Sequence, residues 1–300
     1  MQIRVLPGPK SALGESPLWH PTEEAIYWLD IRQLLVHRRD RTGDCASWKA
    51  REPVTAIALD KAGRLVGTHG ASIARLTLTP GGAVEVVAIF ADANLASNVR
   101  FNDGAVAPDG AFWAGTMDDH EVQSLGRWCR LGRDGVLEWT ATEVGVTNGP
   151  VFDNEKGHAF LTDSRTRTIY RAEAWTVAAF ENAKLYRCFT EAEGAPDGMA
   201  LDRDGLLWVA FWDGGCVRQL DPATGGTIRR IDLPIRRPTS CAFGGAGLDR
   251  LFVTSAFGGE DGAGPDGALL VIDGLDTIGR PADRYVAYAW DALQGGDRDD

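Results

Sequence analysis

The chain has 300 residues, 36 glycines, five cysteines and a net charge of −11. That negative balance excludes nucleic acid or an anionic membrane as the main partner, because both require a basic footprint. No run of about 18 apolar residues occurs, which excludes a membrane-spanning helix, and MQIRVLPGPK lacks the apolar core of a signal peptide.

In chain order, residues 3–6 read as a strand, and from residue 15 one plan recurs six times. Each repeat has a polar opening residue, an apolar strand, a second strand 10 or 11 residues after the opener, and a third. The openers are Glu15, Thr55, Asn102, Asn148, Asp197 and Ser240. Second strands fall at 26–30 (IYWLD), 65–69 (LVGTH), 112–116 (FWAGT), 159–163 (AFLTD), 207–211 (LWVAF) and 251–255 (LFVTS). Third strands follow at 34–40, 72–78, 126–132, 168–173, 215–221 and 267–273, with apolar alternation or apolar runs. Hairpin turns such as Lys61-Ala62-Gly63, Pro108-Asp109-Gly110 and Arg203-Asp204-Gly205 separate first from second strands. Outer strands are less sharply patterned, at 84–90, 137–140, 184–189, 226–231 and 285–290. The one helical-looking piece, 172–182, reads as a short turn within a loop.

The openers recur every 40 to 49 residues. A period of that size, rich in short strands, identifies an all-β, six-bladed β-propeller with four antiparallel strands per blade. Residues 1–294 are expected to form this single domain, with 295–300 as a disordered tail. The strand at 3–6 precedes the first repeat and is placed to close the ring by joining the last blade. A propeller needs no partner to fold, so a monomer is expected. The cysteines are odd in number and contain no CxxC pair. They read as reduced, partly buried small hydrophobes of a cytoplasmic protein. Tryptophans such as Trp28, Trp113 and Trp208 lie within second strands, so they read as core rather than cofactor contacts.

First strands line the central channel of a propeller, so openers far apart in sequence meet at one mouth. That ring holds Glu15, Asn148 and Asp197 as strong oxygen donors. Two carboxylates in a low-dielectric channel repel, and one must protonate unless a cation intervenes. An all-oxygen set of two carboxylates and an amide suits one divalent metal ion: Ca²⁺, Mg²⁺ or Mn²⁺ first, with Zn²⁺ or Fe(II) also compatible. Three ligands leave positions open for water and substrate, as a catalytic site requires. Asn and Asp before Gly also serve as ordinary turn residues, but Glu15 is a poor turn former and all three share one register.

Arg100 lies two residues before Asn102, so strand alternation sends both to one side. A guanidinium there has donors for hydroxyls or a carboxylate. His120 sits in the polar loop Asp118-Asp119-His120-Glu121, which should overhang the mouth. There is no nucleophile elbow, no Cys–His pair, and no phosphate or dinucleotide fingerprint.

With these residues the chain resembles the gluconolactonase/regucalcin (senescence-marker-protein) family. The resemblance rests on Leu13-Gly14-Glu15-Ser16-Pro17, Arg100-Phe101-Asn102-Asp103-Gly104, FWAGTM at 112–117, and Asn148-Gly149-Pro150. It continues through Thr162-Asp163-Ser164, Pro196-Asp197-Gly198-Met199 and Arg237-Pro238-Thr239, in order over almost the whole chain. It implies a divalent metal on Glu15, Asn148 and Asp197, and substrate contacts from Arg100, Asn102 and Asp103. Some relatives carry a substrate-contacting acid where this chain has His120. The implied activity is hydrolysis of a sugar lactone to the aldonic acid in carbohydrate catabolism, with Asp197 taking the proton of the attacking water. A metal-dependent esterase or phosphotriesterase on the same scaffold, or a non-enzymatic calcium-binding propeller, remain the alternatives.

Overall fold

The computed structural model describes residues 1–257 and 264–287. Six sheets follow one another around an axis, as the repeat predicts, and in each the sequence-adjacent strands pair antiparallel. The first blade comprises Gly14–His20, Ala25–Asp30, Leu35–Asp40 and Cys45–Lys49. The second comprises Ile57–Asp60, Leu65–His69, Ser72–Leu78 and Val84–Asp92. The third comprises Val99–Val106, Phe112–Asp118, Trp128–Leu131 and Leu137–Trp139. The fourth comprises Thr147–Asp153, His158–Asp163, Thr168–Ala172 and Lys184–Cys188. The fifth comprises Ala195–Leu201, Leu207–Trp212, Cys216–Leu220 and Thr227–Asp232. The sixth joins Pro238–Gly244, Arg250–Ser255 and Leu270–Asp273 to the N-terminal strand Gln2–Val5. That strand pairs antiparallel with Leu270–Asp273, so both ends of the ring are held by backbone hydrogen bonds.

The core lies between blades. Each cluster of buried apolar residues is shared by two neighbours, as when Leu18 and Tyr27 pack with Ile57 and Leu76. A second strand therefore buries both faces, which explains why its sequence is an apolar run rather than an alternation. Trp28, Trp113 and Trp208 are all core residues, at most 2% exposed. Burying a large apolar side chain contributes about 1.5–3 kcal/mol. The turn glycines Gly63, Gly110 and Gly205 all have positive φ, the conformation that a tight hairpin demands and glycine adopts without a steric penalty. The helical piece is one five-residue helix, Val177–Glu181, capped by the Thr176 hydroxyl.

Two expectations change. The first blade has an outer strand at Cys45–Lys49 that the sequence did not single out. Its exposure alternates along only five residues, too short to show a pattern. Residues 285–287 do not form an outer strand. Arg284–Tyr285 instead pairs parallel with the first strand of the second blade, on its inner side, and residues 288–290 lie outside the described region. Tyr285 is drawn inward by Phe90 and Phe112, at ring-centroid distances of 5.2 and 6.3 Å. The expected tail 295–300 is also outside the described residues.

The stretch between the last blade and Tyr285 acts as a strap. Gly279 N–H donates to the Leu248 carbonyl, the Ile278 carbonyl accepts from Arg203 N–H, and Val286 N–H donates to the Gly110 carbonyl. Arg280 Nη1 donates to Asp153 Oδ1 at 2.7 Å. These partners are hairpin turns, or strand ends beside them, at the end of the ring away from the openers. The strap braces that end and leaves the opener end as the mouth. Among the described residues no helix is long and apolar enough to cross a membrane.

Candidate metal centre and active site

Five of the six first strands carry a β-bulge at the opener. The register slips by one residue between Glu15 and Leu18, Phe101 and Gly104, Asn148 and Val151, Pro196 and Met199, and Pro238 and Cys241. One extra residue re-aims a side chain out of the pleat. In the second blade the bulge is replaced by a hydroxyl, since Thr68 Oγ1 accepts from both Thr55 N–H and Ala56 N–H. Asp197 also needs the glycine that follows it: a Cβ on Gly198 would stand 2.1 Å from Ser240 Oγ.

The openers are buried, with Glu15 6%, Asn102 7%, Asn148 3% and Asp197 4% exposed. Burial raises the proton affinity of Glu15 well above that of an ordinary glutamate, and the charges of Asp197 and Asp103 raise it further. Asp197 is likewise raised, first by burial and then by Asp103. Glu15 Oε2 and Asp197 Oδ1 are buried without a hydrogen-bond partner. Two buried carboxylates, each with an orphaned oxygen, are a costly arrangement that a divalent cation would offset. Among the described residues no three His, Cys, Asp or Glu side chains are grouped to hold a metal. The set here is instead two carboxylates and an amide, a donor chemistry that fits a hard divalent ion.

A chain of hydrogen bonds joins the remaining candidates. Arg100 Nη1 donates to Asn102 Oδ1 at 2.7 Å, so alternation does place these two on one side. Asn102 Nδ2 donates to Asn148 Oδ1 at 2.9 Å and to the Thr147 carbonyl at 2.8 Å. Asn148 Nδ2 donates to Ser164 Oγ at 2.8 Å, and Ser164 Oγ donates to the Pro196 carbonyl at 2.7 Å. Asp103, expected to contact the substrate, is held by two backbone donors. Its Oδ1 accepts from Gly104 N–H and its Oδ2 from Gly149 N–H, which makes it a strut between the third and fourth blades. Burial raises its pKa to about 7, against the pull of those two donors.

His120 is exposed on the loop above the mouth, and its backbone N–H donates to Asp118 Oδ1 at 3.3 Å. The loop residue that reaches the site is Asp119, whose Oδ1 accepts from Arg100 Nε at 2.7 Å and from Arg32 Nη1 at 3.2 Å. Arg165 Nη2 anchors the same loop through the Val122 carbonyl at 2.6 Å. Asp119 and Ser164 were missed by the sequence reading. The only signal for Asp119 was a carboxylate beside the His120 position, and Ser164 was visible only within the motif Thr162-Asp163-Ser164, without a role.

The comparisons agree with this architecture. Residues 13–257 match the family described as "SMP-30/Gluconolactonase/LRE-like region", and the chain belongs to that family. Pentonolactonase XacC of Haloferax volcanii is 36% identical over 262 residues, 85% of this chain and 85% of that one. The 6-deoxy-6-sulfogluconolactonase of Pseudomonas putida is 33% identical over 258 residues, 82% of this chain and 84% of that one. The structure of a calcium-binding protein, regucalcin, from Agrobacterium tumefaciens shares the fold with a TM-score of 0.82 at 23% identity, over 94% of this chain and 96% of that one.

Proposed function

We propose that this protein is a divalent-metal-dependent lactonase that opens a sugar lactone to its aldonic acid. The observation that carries this reading is the pair of orphaned, buried oxygens on Glu15 and Asp197, in a chain related to enzymes named for two sugar lactones. Glu15, Asn148 and Asp197 would hold the metal, which when bound supplies Lewis-acid polarisation of the lactone carbonyl and a counter-charge for the oxyanion.

The protein's own residues do the rest. Arg100 commits Nε to Asp119 and Nη1 to Asn102 and the Phe101 carbonyl. Among the described residues nothing is seen to accept from its Nη2, which leaves that nitrogen to donate to a substrate hydroxyl. Asn102 beside it would help orient the sugar, and His120, exposed on the loop above, would meet the part of the sugar farthest from the floor. Positioning of this kind contributes to rate by fixing the reacting geometry. The Asp197 carboxylate would give one oxygen to the metal and with the other accept the proton of the attacking water. The water oxygen bonds to the carbonyl carbon, the ring C–O bond breaks, and the proton passes to the departing alkoxide. A lactone is an activated ester, so no covalent nucleophile is required. All five cysteines are free, in keeping with a reducing, cytoplasmic setting.

Acid release should be followed across pentono- and hexonolactones, aryl esters and phosphotriesters, with each divalent metal in turn. Turnover confined to sugar lactones supports the reading. Metal binding with no turnover of any of them would overturn it in favour of a binding propeller.

A further inference from the structure

An amide ligates a metal only through its oxygen, so Asn148 must be held in one of two nearly isosteric orientations. The structure shows what selects it. A guanidinium only donates and a carbonyl only accepts. Arg100 stands at one end of the chain that runs through Asn102, Asn148 and Ser164, and the Pro196 carbonyl stands at the other. Every donor between them points the same way. Turning Asn102 over would set its NH₂ against the guanidinium. Turning Asn148 over would set its NH₂ against the NH₂ of Asn102.

We propose that Ser164 is a positioning residue that fixes the amide of Asn148 with its oxygen toward the opener ring and ties this ligand to the strand bearing Asp197. The inference rests on the metal reading above. The Ser164 hydroxyl is suited to the task because it accepts from Asn148 Nδ2 while giving its own proton to the Pro196 carbonyl, one residue before Asp197. Ser164 touches neither orphaned oxygen, so it is not itself a ligand. It occupies the place of an outer-shell partner, and loss of such partners typically lowers metal affinity or activity 10- to 100-fold.

The test is calorimetric titration of chelator-treated full-length protein with Mn²⁺ and, separately, Ca²⁺, for the wild type, Ser164→Ala and Ser164→Thr. Ser164→Ala should bind at least about tenfold more weakly with an unchanged melting temperature. Ser164→Thr, which keeps the hydroxyl, should stay within about threefold of the wild type. Equal affinity of wild type and Ser164→Ala would overturn the inference and leave the metal reading standing. A loss in Ser164→Ala that Ser164→Thr shares, or one accompanied by a lowered melting temperature, would overturn it as a mere packing effect. A wild type that binds neither ion would overturn the inference, and one that also fails to bind Mg²⁺, Zn²⁺ and Fe(II) would overturn the metal reading as well.

Discussion

Arg100 Nε donates to Asp119 Oδ1 at 2.7 Å, tying the strand that carries Asn102 to the loop above the mouth. Arg100 is only 12% exposed at its side chain and Asp119 39%, so the pair is one-sided in its solvation. Asp119→Asn removes the charge from this bond while keeping its shape. The expected outcome is a KM for the sugar lactone raised roughly 3- to 10-fold with kcat within about threefold, since a hydrogen bond to a charged group is worth about 1.5–3 kcal/mol before solvent screening. Arg32→Gln, which removes the more exposed of the two arginines on Asp119, should have a smaller effect. Steady-state kinetics on both variants checks this; an Asp119→Asn enzyme with unaltered KM would show that the loop does not position Arg100.

Glu15 and Asp197 place function against stability. Burial and the Asp197 charge make ionised Glu15 unfavourable in the metal-free protein. Glu15→Gln removes that charge at nearly constant volume. The metal-free variant should melt a few degrees higher than the metal-free wild type, in line with about 1–3 kcal/mol of relieved repulsion, while its divalent-ion affinity falls at least about tenfold. Scanning calorimetry with and without chelator reads both quantities. A lower melting point for the metal-free variant would contradict the account.

His37 gives a pH signature that is independent of the site. It is 1% exposed and lies tilted against Trp28 with ring centroids 5.0 Å apart, and its Nε2 has no partner. Burial lowers its pKa from 6.5 to about 4. The folded state therefore binds this proton less readily than the unfolded chain. The contribution to stability is fully present above pH 6.5 and is lost as pH falls from 6.5 towards 4, on the order of 3 kcal/mol. Urea titrations across that range should show the decline, and His37→Gln should flatten it. A variant with the same slope as the wild type would assign the decline to other groups.

How much of this was legible in the sequence follows from the physics of each part. The ring was readable because six blades repeat one register, so Glu15, Asn148 and Asp197 are marked by position as well as by type. Second strands were readable because both their faces are buried. Ser164 was not, because its partnership with Asn148 depends on a bulge that no residue count reveals. Asp119 was not separable from His120, because a loop without periodicity does not say which of four polar neighbours turns inward. Asp103 was expected at the substrate through the resemblance alone, and its bonds to the Gly104 and Gly149 backbone N–H groups depend on a bulge and a neighbouring blade that the sequence does not show. Tyr285 misled because its aromatic ring signals a strand but not which side of a sheet it joins.

The proposed function requires that Glu15, Asn148 and Asp197 hold a metal on which lactone opening depends. The most direct measurement is acid release from a sugar lactone by chelator-treated protein, with divalent ions added back singly to the wild type and to Asp197→Ala. The account expects activity lost on chelation, restored by at least one ion in the wild type, and at least about 100-fold lower in Asp197→Ala at saturating metal. Turnover that survives chelation, or an Asp197→Ala enzyme as active as the wild type, would contradict it.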